Sequence, residues 1–218
     1  MLGNPKNVFW EAFLLAAIVF ALGLLLGSAF EANRLEDINE FYSRSEISLM
    51  DVLALNSLVE LEGSTCGVLM DSNVKFADKI YEEAQLLERY DASERLSDNF
   101  KLAHQRYDLL RTFLWINSIK IVDRCEGDFH TVVYLYEYES EDLIKRATQG
   151  VWSKILFDLK QKRGNEILLI PIAADTDLTS LNSLIKRFDI SEFPVVVVNN
   201  EHVIQELSSV EDLEAYLK

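Results

Sequence analysis

The longest apolar stretch of the chain runs from Ala12 to Phe30 and contains no charged side chain. An α-helix rises about 1.5 Å per residue, so a helix of this length spans roughly 28 Å and matches the ~30 Å hydrocarbon core of a bilayer. The pattern predicts one transmembrane helix within residues 1–30, followed by a charged, water-facing body. A cleaved signal peptide is the alternative, because Gly27 and Ala29 form a small-x-small pair that a signal peptidase accepts.

Basic residues on the two sides of this stretch indicate its orientation. The amino terminus and Lys6 precede it, and Arg34 is the first basic residue after it. The positive-inside rule counts Lys and Arg, so it favours a single-pass protein of the cell membrane with a cytoplasmic amino terminus and an extracytoplasmic body. Gly23 and Gly27 also form a Gly-x-x-x-Gly pair, which is typical of contacts between membrane helices and allows a homo-oligomer.

The segment after the anchor has apolar residues at alternating spacings of three and four, the period of amphipathic helices. The first predicted helix carries a heptad-like face, typical of coiled coils, that Ser45 and Asn56 interrupt. A loop holding Cys66 follows, and Asp71 or Ser72 is expected to cap the second helix. Three such helices with short connections predict a bundle or stalk, whose first helix packs on the other two or also pairs with a second copy of the chain. The predicted helices cover residues 31–62, 71–92 and 93–122.

The pattern changes after Cys125 to short runs of β-branched and aromatic residues that alternate with helical segments. This alternation predicts the order β-α-β-α-β-β-α, in which the first two strands are parallel because a helix connects them. Asn199 and Asn200 separate the last two strands, and asparagine tolerates the positive φ that a tight hairpin turn requires. The predicted elements are strands 131–138, 167–173, 195–198 and 202–205, and helices 141–162, 178–188 and 210–217.

The stretch Phe188-Asp-Ile-Ser-Glu-Phe-Pro-Val-Val-Val-Val-Asn-Asn-Glu201 resembles the thioredoxin superfamily. Members of that family place an aromatic residue and an isoleucine shortly before a cis-proline, then a hydrophobic strand, a polar turn and another strand. Pro194 matches that proline, so the resemblance implies a cis Phe193–Pro194 bond and a mixed four-stranded sheet. The chain is therefore predicted to be α+β, with a transmembrane helix, a three-helix stalk and a thioredoxin-like domain over residues 1–30, 31–124 and 125–218.

The chain departs from the redox members of that family where the first helix after the first strand begins. Those members carry Cys-x-x-Cys there, whereas this chain has Tyr138-Glu-Ser-Glu-Asp-Leu143. Thiol–disulfide exchange needs an attacking thiolate, which Ser140 and its acidic neighbours do not provide. No catalytic residue is predicted at this position, and the acids are expected to be ordinary residues of a helix start.

Charge and residue counts exclude several other functions. The formal net charge of −15 argues against nucleic acid and an anionic lipid surface as partners. His104, His130 and His202 stand singly in the sequence, so we expect neither a metal site nor a cofactor. Two cysteines outside the cytoplasm most often form a structural disulfide, which predicts a bridge between Cys66 and Cys125.

Two functional hypotheses follow from these observations. The first is a membrane-anchored, redox-inactive thioredoxin-like protein that binds a protein partner outside the cytoplasm and acts as a scaffold. The second is an atypical thiol-disulfide oxidoreductase whose working pair is Cys66 and Cys125. The sequence does not identify the partner.

Overall fold

The computed structural model describes residues 9–28, 65–94, 98–125 and 129–217, with side chains described for all of these except 82–94 and 98–100. The chain divides into two compact units, Met1–Arg44 and Ser45–Lys218. Phe30, most of the first predicted stalk helix and its heptad-like face lie outside the described residues. Seven further described positions are helical and exposed: Ser43, Glu46, Ile47, Met50, Asp51, Ala54 and Ser57.

The first unit contains helix α1, Phe9–Ser28, which includes Ala12 and is long and apolar enough to cross a membrane. A Cβ added to Gly23 or Gly27 would meet no atom within 4 Å. The face that carries these two glycines is therefore open within the described part of the chain.

The second unit begins its continuously described part with an antiparallel helical hairpin. Helix α2 spans Cys66–Glu94 and helix α3 spans Asp98–Arg124. Our prediction that Cys66 lies in a loop is wrong, because it is the first residue of α2. The helix begins earlier than Asp71 because the buried stripe extends back to Leu69, and the amides of Val68 and Leu69 donate to the carbonyl of Thr65 at 3.1 and 3.2 Å.

The carboxy-terminal part has the mixed four-stranded sheet that the sequence predicts, with strand order β2-β1-β3-β4. β1 pairs with β2 in parallel and with β3 in antiparallel orientation, and β3 pairs with β4 in antiparallel orientation. Asn199 and Asn200 both have positive φ, 52° and 59°, in the predicted hairpin turn between β3 and β4. The elements are β1 His130–Tyr136, α4 Leu143–Arg163, a 3₁₀ turn Gly164–Glu166, β2 Ile167–Ala173, α5 Thr179–Arg187, β3 Val195–Val198, β4 His202–Ile204 and α6 Val210–Glu214.

Helices cover both faces of this sheet. One face packs on α4 and α6, in a core that includes Val132, Trp152 and Leu213, all fully buried. Successive strand residues point to opposite faces, so Val133 and Leu135, which are also fully buried, belong to a second core. α3 contacts β1, β2 and α5, and therefore contributes to that second core.

Trp115 fixes α3 to the sheet. Its ring stacks on Phe188 at the end of α5, with 5.2 Å between ring centroids, and its indole N–H donates to Asn200 Oδ1 at 2.9 Å. The third helix of the predicted stalk is thus part of the sheet's own packing, which the helical periodicity alone does not indicate. The predicted boundaries at 30/31 and 124/125 stay predictions.

Candidate functional site

The candidate site lies at the end of the sheet where β1 and β2 finish and β3 begins. Tyr136 is paired with Ala173, and Leu135 with Val195, so the residues just beyond these pairs converge at one edge. Phe193 and Pro194, singled out in the sequence, immediately precede β3 at this edge and are half-buried. The peptide bond between them is cis. We call this region, residues 137–142 together with 174–177 and 191–194, the edge site.

Two side chains hold the β1–α4 loop in place at the edge site. Asp175 accepts hydrogen bonds from the amides of Tyr138 and Glu139 at 2.9 and 2.8 Å, one on each carboxylate oxygen. Gln149 of α4 accepts from the amide of Glu137 at 3.1 Å and donates to its carbonyl at 2.9 Å. The loop is therefore held by hydrogen bonds within the chain, to Asp175 after β2 and to Gln149 of α4.

The amino terminus of α4 is likewise occupied by the chain itself. Asp142 caps the helix and accepts from the amides of Ile144 and Lys145 at 2.8 and 3.2 Å. Lys145 donates to Glu137 at 2.8 Å, and this hydrogen bond is the main cause of the raised pKa of Lys145. The carboxylate of Asp142, at the amino terminus of α4, is stabilised by the helix dipole. The acids predicted to be helix-start residues thus include the capping residue.

We expect Asp175→Ala to destabilise the chain by about 1–2 kcal/mol, because two backbone donors lose their charged acceptor. Hydrogen exchange at the amides of Tyr138 and Glu139 should accelerate, while exchange in β3 stays unchanged. Asp175→Asn is the control, since it keeps one carbonyl acceptor and should show a smaller effect. Unchanged exchange at both amides in the alanine variant would contradict the role given to Asp175.

A buried carboxyl group lies next to the edge site. Asp108 of α3 is 1% exposed, and its Oδ1 accepts from the amide of Ala173, the last residue of β2, at 3.1 Å. The nearest cation is Arg111, whose Nη1 lies 3.8 Å from the same oxygen. Asp108 Oδ2 is buried and has no hydrogen-bond partner among the described residues. Burial raises the pKa of Asp108 from 3.8 to about 7, although Arg111 and the Ala173 amide oppose the shift.

Two tyrosines, Tyr107 and Tyr136, also lie beside Arg111 and form a cluster with it and Asp108. The guanidinium lies 3.8 Å from the centre of the Tyr107 ring and also donates to the Tyr107 hydroxyl. Burial raises the pKa of Tyr136 to about 12, so that phenol stays protonated at neutral pH. Because Tyr136 is the last residue of β1, the cluster adjoins the edge site through the backbone of β1 and β2.

Sequence reasoning does not find Asp108. An acid three residues before an arginine on a helix looks like an ordinary surface ion pair. Only the packing of α3 on β2 shows that this pair is buried. Asp175 carries a weak signal, because polar residues that follow one of two parallel strands lie at the same edge as the end of the neighbouring strand.

The two cysteines form the predicted disulfide, with 5.7 Å between their Cα atoms. They meet because the start of α2 and the end of α3 lie at the same end of an antiparallel hairpin. Cys66 is partly exposed and Cys125 is 2% exposed. Cys125 precedes β1, whereas the edge site follows it, and seven strand residues extend about 20 Å. The disulfide and the edge site are therefore at opposite ends of β1.

The three histidines lie in separate places. His104 stacks against Tyr138, with ring centroids 4.4 Å apart, His130 Nδ1 lies 3.3 Å from Asn199 Oδ1, and the ring of His202 lies against Tyr216. Within the part of the chain that the structure describes, no group of three or more His, Cys, Asp or Glu residues is placed to hold a metal ion.

Comparisons with known proteins add little to this description. No protein-family model matches the chain, and no curated protein matches it. One solved structure, titled "Structure of a malarial protein", is similar with a TM-score of 0.31 and 18% sequence identity, over 41% of this chain and 93% of that chain. A TM-score this low supports no conclusion about fold or function.

Proposed function

We propose that the chain is a membrane-anchored, redox-inactive thioredoxin-like protein that binds a protein partner at the edge site and acts as a scaffold outside the cytoplasm. The thioredoxin-like assignment is supported by the element order, by the strand order β2-β1-β3-β4 and by Pro194 immediately before β3. The anchor is α1, and the bias of Lys6 and the amino terminus over Arg34 supports an extracytoplasmic body.

One observation carries the choice of a binding function over a redox function. The edge site corresponds to the place where redox members of the resembled family have their dithiol. Here it contains a loop that is fixed by hydrogen bonds to Asp142, Gln149 and Asp175. Both cysteines of the chain are joined at the far end of β1. A loop held by several hydrogen bonds is preorganised, and preorganisation lowers the ordering cost of binding a partner.

The test is photo-crosslinking of the full chain in its native membranes, with the crosslinking side chain introduced in place of Glu192. That residue is exposed and lies beside Phe193 in the edge site. The matched control replaces Glu201, which is also exposed but lies in the β3–β4 turn at the other end of the sheet. We expect a discrete protein adduct from position 192 that is absent from position 201.

Identical adducts from both positions, or none from position 192, would contradict binding at the edge site. The same cells report the side of the membrane. Protease added from outside should digest the body and leave a small anchored fragment. Protection of the body until lysis would refute the extracytoplasmic orientation.

A second candidate function is thiol–disulfide exchange by Cys66 and Cys125. The observation that favours it is that Cys66 is partly exposed at the first residue of α2, while Cys125 is buried. An accessible sulfur paired with a buried one is compatible with a cycling disulfide. Reversible reduction distinguishes this candidate and is treated with the disulfide in the Discussion.

A further inference from the structure

We propose that the outer face of α4 lies on the anionic lipid surface of the membrane in which the chain is anchored. The inference rests on the membrane anchor of the proposed function, but not on its protein partner. The outer face is defined here as Leu143, Ile144, Ala147, Gly150, Val151 and Phe157, all of which are exposed.

The outer face is apolar although it points away from the core. α4 buries its opposite side through Trp152, Leu156 and Leu159. Leu143 and Ile144, in the first turn, are 74% and 79% exposed. A Cβ added to Gly150 would meet no atom within 4 Å, so the middle of the face is also open. Large aliphatic side chains exposed to this extent on one helix face indicate an interaction surface.

The charge of α4 is opposite to that of its surroundings. It holds six basic residues and one acid, Asp158, whereas the rest of 129–217 holds fourteen acids and only two basic residues, Lys186 and Arg187. Arg146 borders the outer face, whereas Lys154 lies within it together with the exposed acid Asp158, because residues 147, 151, 154 and 158 share one side of a helix. Neither Arg146 nor Lys154 makes an ion pair with any described residue. The remaining basic residues of α4 are turned to partners within the fold: Lys145 to Glu137, Lys160 to backbone carbonyls, and Lys162 and Arg163 to Glu214.

Exposed apolar side chains on the same helix as lysine and arginine are typical of helices that lie in the plane of a lipid surface. The apolar groups enter the headgroup boundary, while long basic side chains reach the phosphates. The acidic remainder of the body is repelled from the same lipids, so electrostatics selects the orientation with α4 towards the membrane. The net charge of −15, which argues against an anionic lipid surface when averaged over the chain, conceals this segregation.

Charge also favours lipid over a second copy of the chain. Two outer faces brought together would place Arg146 and Lys154 of one copy near the same residues of the other. Anionic headgroups neutralise both side chains, whereas an identical face offers them only Asp158. The anchor of the proposed function tethers the body to a lipid surface.

The full chain in lipid nanodiscs tests the proposal. Since both native cysteines are in the disulfide, Ile144→Cys provides a single labelling site on the outer face. Ser183→Cys is the matched control, because Ser183 is exposed on α5, which belongs to the other face of the sheet. A fluorophore at each site is quenched by lipids that carry nitroxide groups, in phosphatidylcholine alone or in equal parts of phosphatidylcholine and phosphatidylglycerol.

We expect strong quenching at position 144 and little at 183 in the phosphatidylglycerol discs. Each basic residue near an anionic surface strengthens association about five-fold, so Arg146→Glu with Lys154→Glu should abolish the difference between the sites. Salt at about 1 M, where the Debye length is about 3 Å, should do the same.

Equal quenching at the two positions overturns the proposal. Quenching at 144 that persists unchanged in phosphatidylcholine alone overturns anionic lipid as the occupant. If position 144 instead becomes more shielded from the quencher as the number of copies per disc increases, that result assigns the face to a second copy and also overturns the proposal.

Discussion

Loss of the Cys66–Cys125 disulfide is expected to lower the free energy of unfolding of the body by about 4 kcal/mol. The bridge joins residues 59 positions apart, and closing a loop of this length removes that much conformational entropy from the unfolded chain in the chain-entropy model. Chemical denaturation of the full chain in detergent, for the wild type and for Cys66→Ala with Cys125→Ala, measures the difference.

The same protein separates the structural role from the redox candidate. Intact mass after alkylation should show no free thiol in protein isolated without reductant. Wild type and double variant should both fail to accelerate insulin reduction by dithiothreitol. A difference in stability below 1 kcal/mol would contradict the structural role, and a disulfide that cycles with insulin would favour the oxidoreductase.

Acidification from pH 8 to pH 5 is expected to stabilise the body through Asp108. Its pKa is raised from 3.8 to about 7, so the folded chain holds a proton that the unfolded chain releases. The stabilisation is fully present below 3.8 and is lost as the pH rises through 7. Between pH 5 and pH 6 the free energy of unfolding should fall by about 1.4 kcal/mol per pH unit, and this slope should fall to about half at pH 7.

Asp108→Asn is the control, because it keeps an oxygen that accepts from the Ala173 amide but does not ionise. The wild-type curve minus the variant curve removes the contribution of every other titrating group. Asp212 and Glu214 have pKa values lowered by hydrogen bonds from Ser209 and Lys162, so their contributions are lost below the range of this measurement. Parallel curves for the two proteins above pH 5 would contradict the burial effect at Asp108.

Local sequence signals are enough to predict most of the sheet and its connections. Strand β2 has the predicted bounds 167–173, and the Asn199-Asn200 hairpin has the predicted positive φ angles. These elements follow from β-branched runs and turn residues, which act over a few neighbouring positions. The predicted start of α2 is wrong because the burial of Leu69 depends on packing against other elements, which the local pattern does not show.

The candidate site is predictable only in part, because some of its residues are placed by contacts with distant parts of the chain. Phe193 and Pro194 belong to a contiguous stretch that resembles a family, so their place at the edge is expected. Asp108 is hydrogen-bonded to Ala173, 65 positions away in the chain, and Trp115 to Asn200, 85 positions away. No periodicity within α3 shows that one helix would reach both β2 and the β3–β4 turn.

The contact between Asp108 and Ala173 also bears on how chains behave when they are crowded together. β2 is an outer strand of the sheet, and the amide of Ala174, just after it, donates to the carbonyl of Tyr136 of β1. Because successive amides of a strand point to opposite sides, the amide of Ala173 faces outward. Pro171, two residues earlier on the same side, has no donor, and Asp108 occupies the next one. An exposed strand edge is a template for aggregation. α3 therefore protects the carboxyl end of this edge against sheet extension from a neighbouring chain, and a body without its helical hairpin would lose that protection.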